Sequence, residues 1–271
     1  MKYYFPIGIF DSGIGGLCIA KEIINYMPNE RLFYVGDTKN MPYGNKSQHF
    51  IRHHSMKIVS FLFQHQCKAI VIACNSIVSN ALDIIQEKFS QKTILFNVID
   101  PVIKNKIFFS YNKIGICATH ATIRSQYYQN KMKKHFPHLT IITKSIPFLA
   151  KIIENGIHTH QLNSLIQESF NSFIKNIDLL LLACTHYLFL KNAINNIFKE
   201  NIRIIEIQKI VVKDIITTLY NKNLLNTVPI YPIPINNHHI IFYTSDFISP
   251  IFYAKVKSIF KNNFIVKQIN L

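Results

Sequence analysis

The sequence predicts an α/β protein of two similar doubly wound parallel-sheet domains, related by a pseudo-twofold, with the functional site in the cleft between them. Three observations lead there. The first is the stretch Leu179-Leu180-Leu181-Leu182-Ala183-Cys184-Thr185-His186-Tyr187, an apolar run that ends on a cysteine and turns polar at once. It is too short for a buried helix and suits a strand covered on both faces. Leu188, Leu190, Ile194 and Ile197 follow at helical spacing, so Cys184 is expected at the carboxyl end of a buried strand, where open α/β sheets bind ligands. The second is Ala69-Ile70-Val71-Ile72-Ala73-Cys74-Asn75-Ser76, which has the same form. The third is spacing. Ile7-Gly8-Ile9-Phe10-Asp11-Ser12 precedes Cys74, and Ile114-Gly115-Ile116-Cys117-Ala118-Thr119 precedes Cys184, at intervals of 67 and 70 positions from the leading isoleucines. Two such halves face to face put one thiol on each side of a shared cleft.

Ile7 to Phe10 reads as the first strand, followed by the loop Asp11-Ser12-Gly13-Ile14-Gly15-Gly16 and a helix from Leu17 to Tyr26. Six of the eight glycines lie at or before Gly44, concentrating tight backbone here. A dinucleotide loop fails on spacing, because the third glycine position is Cys18. Backbone N–H groups at the helix start can still hold an anion such as a carboxylate. Asp11 is out of place in a pure anion site, and a helix N-cap is its bland alternative.

Arg31 to Val35 reads as the second strand, then Gly36-Asp37-Thr38 and the turn Met41-Pro42-Tyr43-Gly44, which offers a hydroxyl and backbone amides at a strand end. Phe50 to Gln64 is a long amphipathic helix, and another follows Cys74 through Ala81, Ile84 and Ile85. Thr93 to Ile99 reads as a strand, with Asp100-Pro101 leading to the second half. Lys113 to Cys117 opens that half. Thr119 can cap a short helix, its hydroxyl standing where Asp11 and Ser12 stand in the first half. Thr140 to Thr143 is a short strand, and Pro147 to Gly156 a helix closed by Gly156. Glu154 near its end opposes the macrodipole, which marks it as a functional candidate. A helix from Gln161 to Lys175 leads into the Cys184 strand. Ile202 to Ile207 (strand), Ile210 to Tyr220 (helix), the proline-bearing connection Asn223 to Asn237, His239 to Tyr243 (strand) and Ser249 to Phe260 (helix) complete the chain.

Composition excludes several classes. At 271 residues and 49% hydrophobic content, two domains with real cores are expected. No apolar run is long enough for a membrane span. Met1 to Pro6 runs straight into the first strand without a small-residue cleavage site, so the expected location is the cytoplasm. Five cysteines with no Cys-x-x-Cys pair argue against both a disulfide framework and structural zinc. The adjacent pairs His53-His54 and His238-His239 point different ways, so no metal is expected. The net charge of +16 raises nucleic-acid binding, but the lysines are scattered through an Ile-, Lys- and Asn-rich chain with no recognition motif. Nucleic acid is therefore not expected as the main partner, and the positive field instead suits an anionic small substrate.

Two thiols across a cleft suit one chemistry particularly well. A free thiol has a pKa of about 8.5, and nearby donors or a helix N-terminus lower it. One thiolate and one thiol on opposite faces of a carbon acid form a two-base proton exchanger that inverts configuration. Asp11, at a strand end near Cys74, and His186, two residues after Cys184, are placed to tune them.

The set Phe10-Asp11-Ser12-Gly13, Pro42-Tyr43-Gly44, Cys74-Asn75-Ser76, Ala118-Thr119 with Thr122 and Ser125, Glu154-Asn155-Gly156, Cys184-Thr185-His186-Tyr187 and Phe242-Tyr243-Thr244 resembles the glutamate racemase family of bacterial cell-wall synthesis, from end to end. The resemblance implies a racemase that needs no cofactor and no metal. Its domains would be 1–100 with 211–271, and 101–210. Cys74 and Cys184 would be the bases, with Asp11 assisting Cys74, and His186 with Glu154 assisting Cys184. Asp11, Ser12, Tyr43, Gly44, Asn75, Ser76, Thr119, Thr122, Thr185 and His186 would bind glutamate. A homodimer, or a monomer–dimer equilibrium, is the expected assembly. Three positions depart from the family pattern: Ser76 where Thr is usual, Leu188 where Pro is usual, and Ile205-Glu206-Ile207 for Ile-Asp-Ser. Competing readings are a sister racemase for aspartate, a non-catalytic anion-binding fold, and a pyridoxal phosphate enzyme, for which no lysine stands in a Schiff-base setting.

Overall fold

A computed structural model describes residues 2–146, 148–156, 159–198, 202–228, 240–261 and 264–271. Its described strands form two sheets, and every pairing is parallel. The first contains β1 (Ile7–Asp11), β2 (Leu32–Gly36), β3 (Ala69–Ile72) and β4 (Ile94–Asn97). The second contains β5 (Lys113–Ala118), β6 (Thr140–Ser145), β7 (Leu179–Ala183) and β8 (Arg203–Ile204). The chain then returns to the first sheet with β9 (Ile240–Thr244) and β10 (Phe264–Gln268). The orders are β10-β9-β2-β1-β3-β4 and β6-β5-β7-β8.

Both sheets reverse direction at the same relative place. The chain runs β1 to β2 on one side and then crosses β1 to reach β3; likewise it runs β5 to β6 and crosses β5 to reach β7. Such a reversal leaves a crevice at the carboxyl ends of the two central strands. Phe10 lies opposite Ile72 and Ala118 opposite Ala183, so Ser12 emerges beside Cys74, and Thr119 beside Cys184. The four central strands need helices on both faces, and their runs of Ile, Val, Leu and Ala are fully buried.

The helices that flank this crevice follow the apolar periodicity. They are α1 (Leu17–Tyr26), α2 (Gln48–Gln64), α3 (Asn75–Phe89), α4 (Asp100–Ile103), α5 (His120–Arg124), α6 (Tyr127–His135), α7 (Leu149–Asn155), α8 (Thr159–Ile174), α9 (Lys191–Phe198), α10 (Ile207–Asn221) and α11 (Pro250–Phe260). Helix α2 packs on α3, and α1 packs on both α10 and α11. No described helix is long and apolar enough to cross a membrane.

Several boundaries differ from expectation for local reasons. The strand expected to Ile99 stops at Asn97, whose Oδ1 accepts from the Ile99 and Asp100 amides and turns the chain into α4. The strand expected from Ile202 to Ile207 is only Arg203–Ile204, and α10 already begins at Ile207. A 3-10 turn, Thr185–Leu190, separates Cys184 from α9. Helix α6 and edge strand β10 were not expected. Pro147, the prolines Pro229, Pro232 and Pro234, and the pair His238-His239 lie outside the described residues.

Below the first sheet, Lys68 and Glu30 form a fully buried ion pair at 2.5 Å. Lys68 Nζ also donates to the carbonyls of Tyr3 and Leu224 (2.8 Å for the latter), while Glu30 Oε1 accepts from the Asn226 amide at 2.8 Å. One charge pair thus ties the first residues and the segment after α10 to β3.

Candidate active site

Each cysteine sits where its strand ends and its side chain can face the crevice. Cys74 is the N-cap residue of α3, and Cys184 that of the 3-10 turn, both with extended backbone. They are 6% and 4% exposed and line one small cavity with Ser12, Pro42, Gly44, Asn75, Ser76, Thr119, Ala150, Thr185 and His186. The cavity leaves about 10 Å³ for solvent, the room of a single water. Larger occupants require its turns to part.

The surroundings of the two thiols differ. Cys74 Sγ lies 3.8 Å from Ser12 Oγ. Burial, and then the Asp11 carboxylate, push the Cys74 thiol well above its usual range. Asp11 is itself fully buried. It does not cap α1, whose N-cap is Gly16. Its Oδ1 accepts from the Gly13 amide and its Oδ2 from Thr185 Oγ1, both at 2.9 Å. Burial raises its pKa, with the His186 charge opposing. On the other side, Cys184 Sγ is 3.9 Å from His186 Nδ1, and His186 Nε2 is 2.5 Å from Glu154 Oε1. Burial alone would lower the imidazole. The Glu154 carboxylate, with the hydrogen bonds to Cys184 and Glu154, outweighs it and holds the pKa well above the usual value. Glu154 sits in the last turn of α7 because its Oε1 also accepts from the Ile14 amide at 2.8 Å, in the glycine loop of the opposite half. The macrodipole conflict at this position is thus compensated by two donors.

The remaining wall is made of hydroxyls. Ser76 Oγ lies 2.8 Å from Thr119 Oγ1, which is 3.1 Å from Thr122 Oγ1 and caps α5. Of the residues predicted for this site, Asp11, Tyr43, Glu154 and Thr122 stand behind the lining rather than in it. Tyr43 is fully buried, and its hydroxyl donates to Asp37. Asp37 also accepts from Asn40 Nδ2 (3.0 Å) and Ser245 Oγ (2.5 Å), so the turn presents Pro42 and Gly44 to the cavity while its tyrosine anchors it. Sequence reasoning missed Ala150 and Asp37, and named Pro42 only as part of its turn. Asp37 had a signal, an acidic residue just past a strand end like Asp11.

The early glycines mark where the halves touch. A Cβ on Gly13 would fall 1.9 Å from Glu154 Oε1, one on Gly15 2.5 Å from His186 Nδ1, and one on Gly44 2.7 Å from Thr119 Cβ. No side chain fits at any of the three without displacing a residue of the other half. Among the described residues, no group of three or more His, Cys, Asp or Glu side chains is disposed to hold a metal ion.

Two thiols on one cavity, one beside a carboxylate-backed imidazole, can take and return a proton on a bound carbon acid. No protein-family model matches the chain. It is similar to the glutamate racemase of Clostridium botulinum (strain Alaska E43 / Type E3), 37% identical over 227 residues, covering 82% of this chain and 86% of the relative. Among solved structures it resembles glutamate racemase from Francisella tularensis in complex with D-glutamate, at 31% identity and TM-score 0.86 over 99% of this chain and 98% of the other. It also resembles glutamate racemase isoform RacE1 from Bacillus anthracis, at 28% identity and TM-score 0.88 over the same 99% and 98%.

Proposed function

The chain belongs to the glutamate racemase family, and from that premise we propose that this amino-acid racemase interconverts L- and D-glutamate by a two-cysteine, two-base mechanism without a cofactor. The observation that carries the reading is the pair Cys74 and Cys184, each ending a central strand and both lining one cavity. The sulfur that starts as base is Cys184, with the His186 imidazolium beside it. Cys74 starts as the acid, because burial and the Asp11 charge disfavour its thiolate. In one direction Cys184 takes the α-proton into a new S–H bond while Cys74 gives its proton to the opposite face of the carbanion. The product leaves Cys74 as the thiolate and Cys184 as the thiol, and either the reverse reaction or proton exchange of the two sulfurs with solvent restores the first state. His186 and Glu154 stabilise the charge on the Cys184 side, whereas Asp11 acts from behind the wall through Thr185 and its field on Cys74. Ser12, Gly44, Asn75, Ser76, Thr119, Thr185 and His186 hold the carboxylates and ammonium, with Tyr43 and Thr122 supporting them.

The same reading divides the chain into domains 1–100 with 211–271 and 101–210. It makes the chain a cytoplasmic homodimer, or a monomer–dimer equilibrium, that supplies D-glutamate for peptidoglycan synthesis. Incubating the purified protein with L-glutamate in D₂O, without added cofactor, tests it. Decay of the circular dichroism signal together with α-deuteration is expected. Folded protein that exchanges neither glutamate nor aspartate refutes the racemase reading, and exchange of aspartate alone moves it to the sister enzyme.

A further inference from the structure

Asn75 follows Cys74 directly and opens α3, so its side chain is held at the cavity wall. Its amide is 2% exposed and half satisfied. Oδ1 accepts from Tyr128 Oη at 2.7 Å, while Nδ2 is buried without a hydrogen-bond partner. A buried, unpaired donor is costly to the folded protein, which makes it a group awaiting an acceptor.

The orientation follows from Tyr128. Its ring is 1% exposed in α6, and Asn75 Oδ1 is the acceptor its hydroxyl finds. A buried phenol O–H requires an acceptor, so the amide oxygen must face the tyrosine and the NH₂ must face the other way. The tyrosine is seated firmly. Ser125 Oγ accepts from the Tyr127 amide at 3.2 Å at the start of α6, and Tyr127 Oη donates to Asp100 at 2.9 Å. Burial, and then the charge at Cys184, hold the Tyr128 hydroxyl well above its usual range, so it stays a donor.

We propose that Tyr128 is a positioning residue for the racemase: it locks the Asn75 amide with Nδ2 toward the substrate, where that donor binds a carboxylate oxygen of the amino acid. The inference rests on the racemase reading above. A flipped amide would present an oxygen to a carboxylate, a repulsive contact, so the lock controls substrate affinity rather than proton transfer. The bond also crosses from α6, beside the second sheet, to α3 of the first, so the amide is oriented only when the halves are together.

The test is a double-mutant cycle. Tyr128→Phe keeps the ring and removes the lock, and is expected to raise KM for glutamate about tenfold, the loss of one neutral hydrogen bond's orientation, with kcat changed less than about threefold. In an Asn75→Ala background the same substitution should leave KM unchanged, because no amide remains to orient. Additive effects on KM, or an unchanged KM in the wild-type background, overturn the proposal. A thermal midpoint for each variant separates affinity from folding. If Tyr128→Phe fails to fold, the Asn75 side-chain ¹⁵N–¹H₂ signals of the unmodified protein, assigned by their loss in Asn75→Ala, give the answer. They must shift on saturation with D-glutamate, and signals that do not move overturn the proposal. Absence of glutamate racemisation by the unmodified protein would instead mark failure of the parent reading.

Discussion

Replacing Glu154 by Gln separates the charge in the relay from its geometry. Gln can still accept from the Ile14 amide and from His186 Nε2–H, now 2.8 and 2.5 Å away, so the turn of α7 and the glycine loop keep their contact. What disappears is the carboxylate that holds His186 protonated against burial. Both side chains are only 4% exposed, so solvent screens the pair little. Removing one partner of such a pair costs about 3–5 kcal/mol. Without the carboxylate, burial counts for more and the imidazole falls from its raised value. The sign follows. A histidine whose folded pKa is raised adds stability that is complete below its unfolded pKa and is lost as pH rises through the folded value. Glu154→Gln removes the carboxylate's part of that contribution, so its stability declines less over the same alkaline span. Activity should drop by about 10²-fold in kcat, the low end for loss of a positioned acid–base group. KM should change little, because Glu154 does not line the cavity. The assay is racemisation followed by circular dichroism across neutral and alkaline pH, in both directions. A kcat–pH curve for Glu154→Gln that superimposes on the unmodified protein's would refute the reasoning, as would a change confined to KM.

Three further outcomes follow from the same geometry. Cys74→Ala and Cys184→Ala should each lower racemisation by about 10³-fold or more, read as net inversion of either enantiomer; near-normal turnover in either variant removes that cysteine from the mechanism. Gly15→Ala would set a methyl 2.5 Å from His186 Nδ1 and 2.6 Å from Thr185 Oγ1. Overpacking of this kind costs about 1–3 kcal/mol, and kcat should fall with stability because both neighbours line the cavity; a folded variant with unaltered kcat contradicts the close approach. Lys68→Met strands the buried Glu30 carboxylate and should cost about 3–5 kcal/mol by denaturant titration, while kcat per folded molecule stays unchanged, since the pair lies away from the cavity.

The strands that carry the cysteines were legible because burial on two faces leaves a signal in every residue: Ala69 to Ala73 and Leu179 to Ala183 contain no polar side chain. The likeness of the two halves was legible in the repeated order of landmarks. Strand ends were less so, since Asn97 closes β4 through its own side chain, and Ile205 and Ile207 are apolar on either side of Glu206 whether the segment extends or coils. Edge strand β10 escaped because Phe264-Ile265-Val266 is short and pairs with β9 alone. At the site, residue types could be nominated, but their partners lie far off in the chain. Asp11 meets Thr185 across 174 positions and Ile14 meets Glu154 across 140, distances over which local pattern carries no information. The sequence could show a surplus of early glycines without saying that Gly13, Gly15 and Gly44 face Glu154, His186 and Thr119. That pairing gives the surplus its physical cause. On the proposed reading, a carbon acid flanked by two sulfurs on one small cavity requires the halves to meet with no side chain between them. The residues that permit the contact are therefore as specific to the chemistry as the thiols, although they carry no functional group.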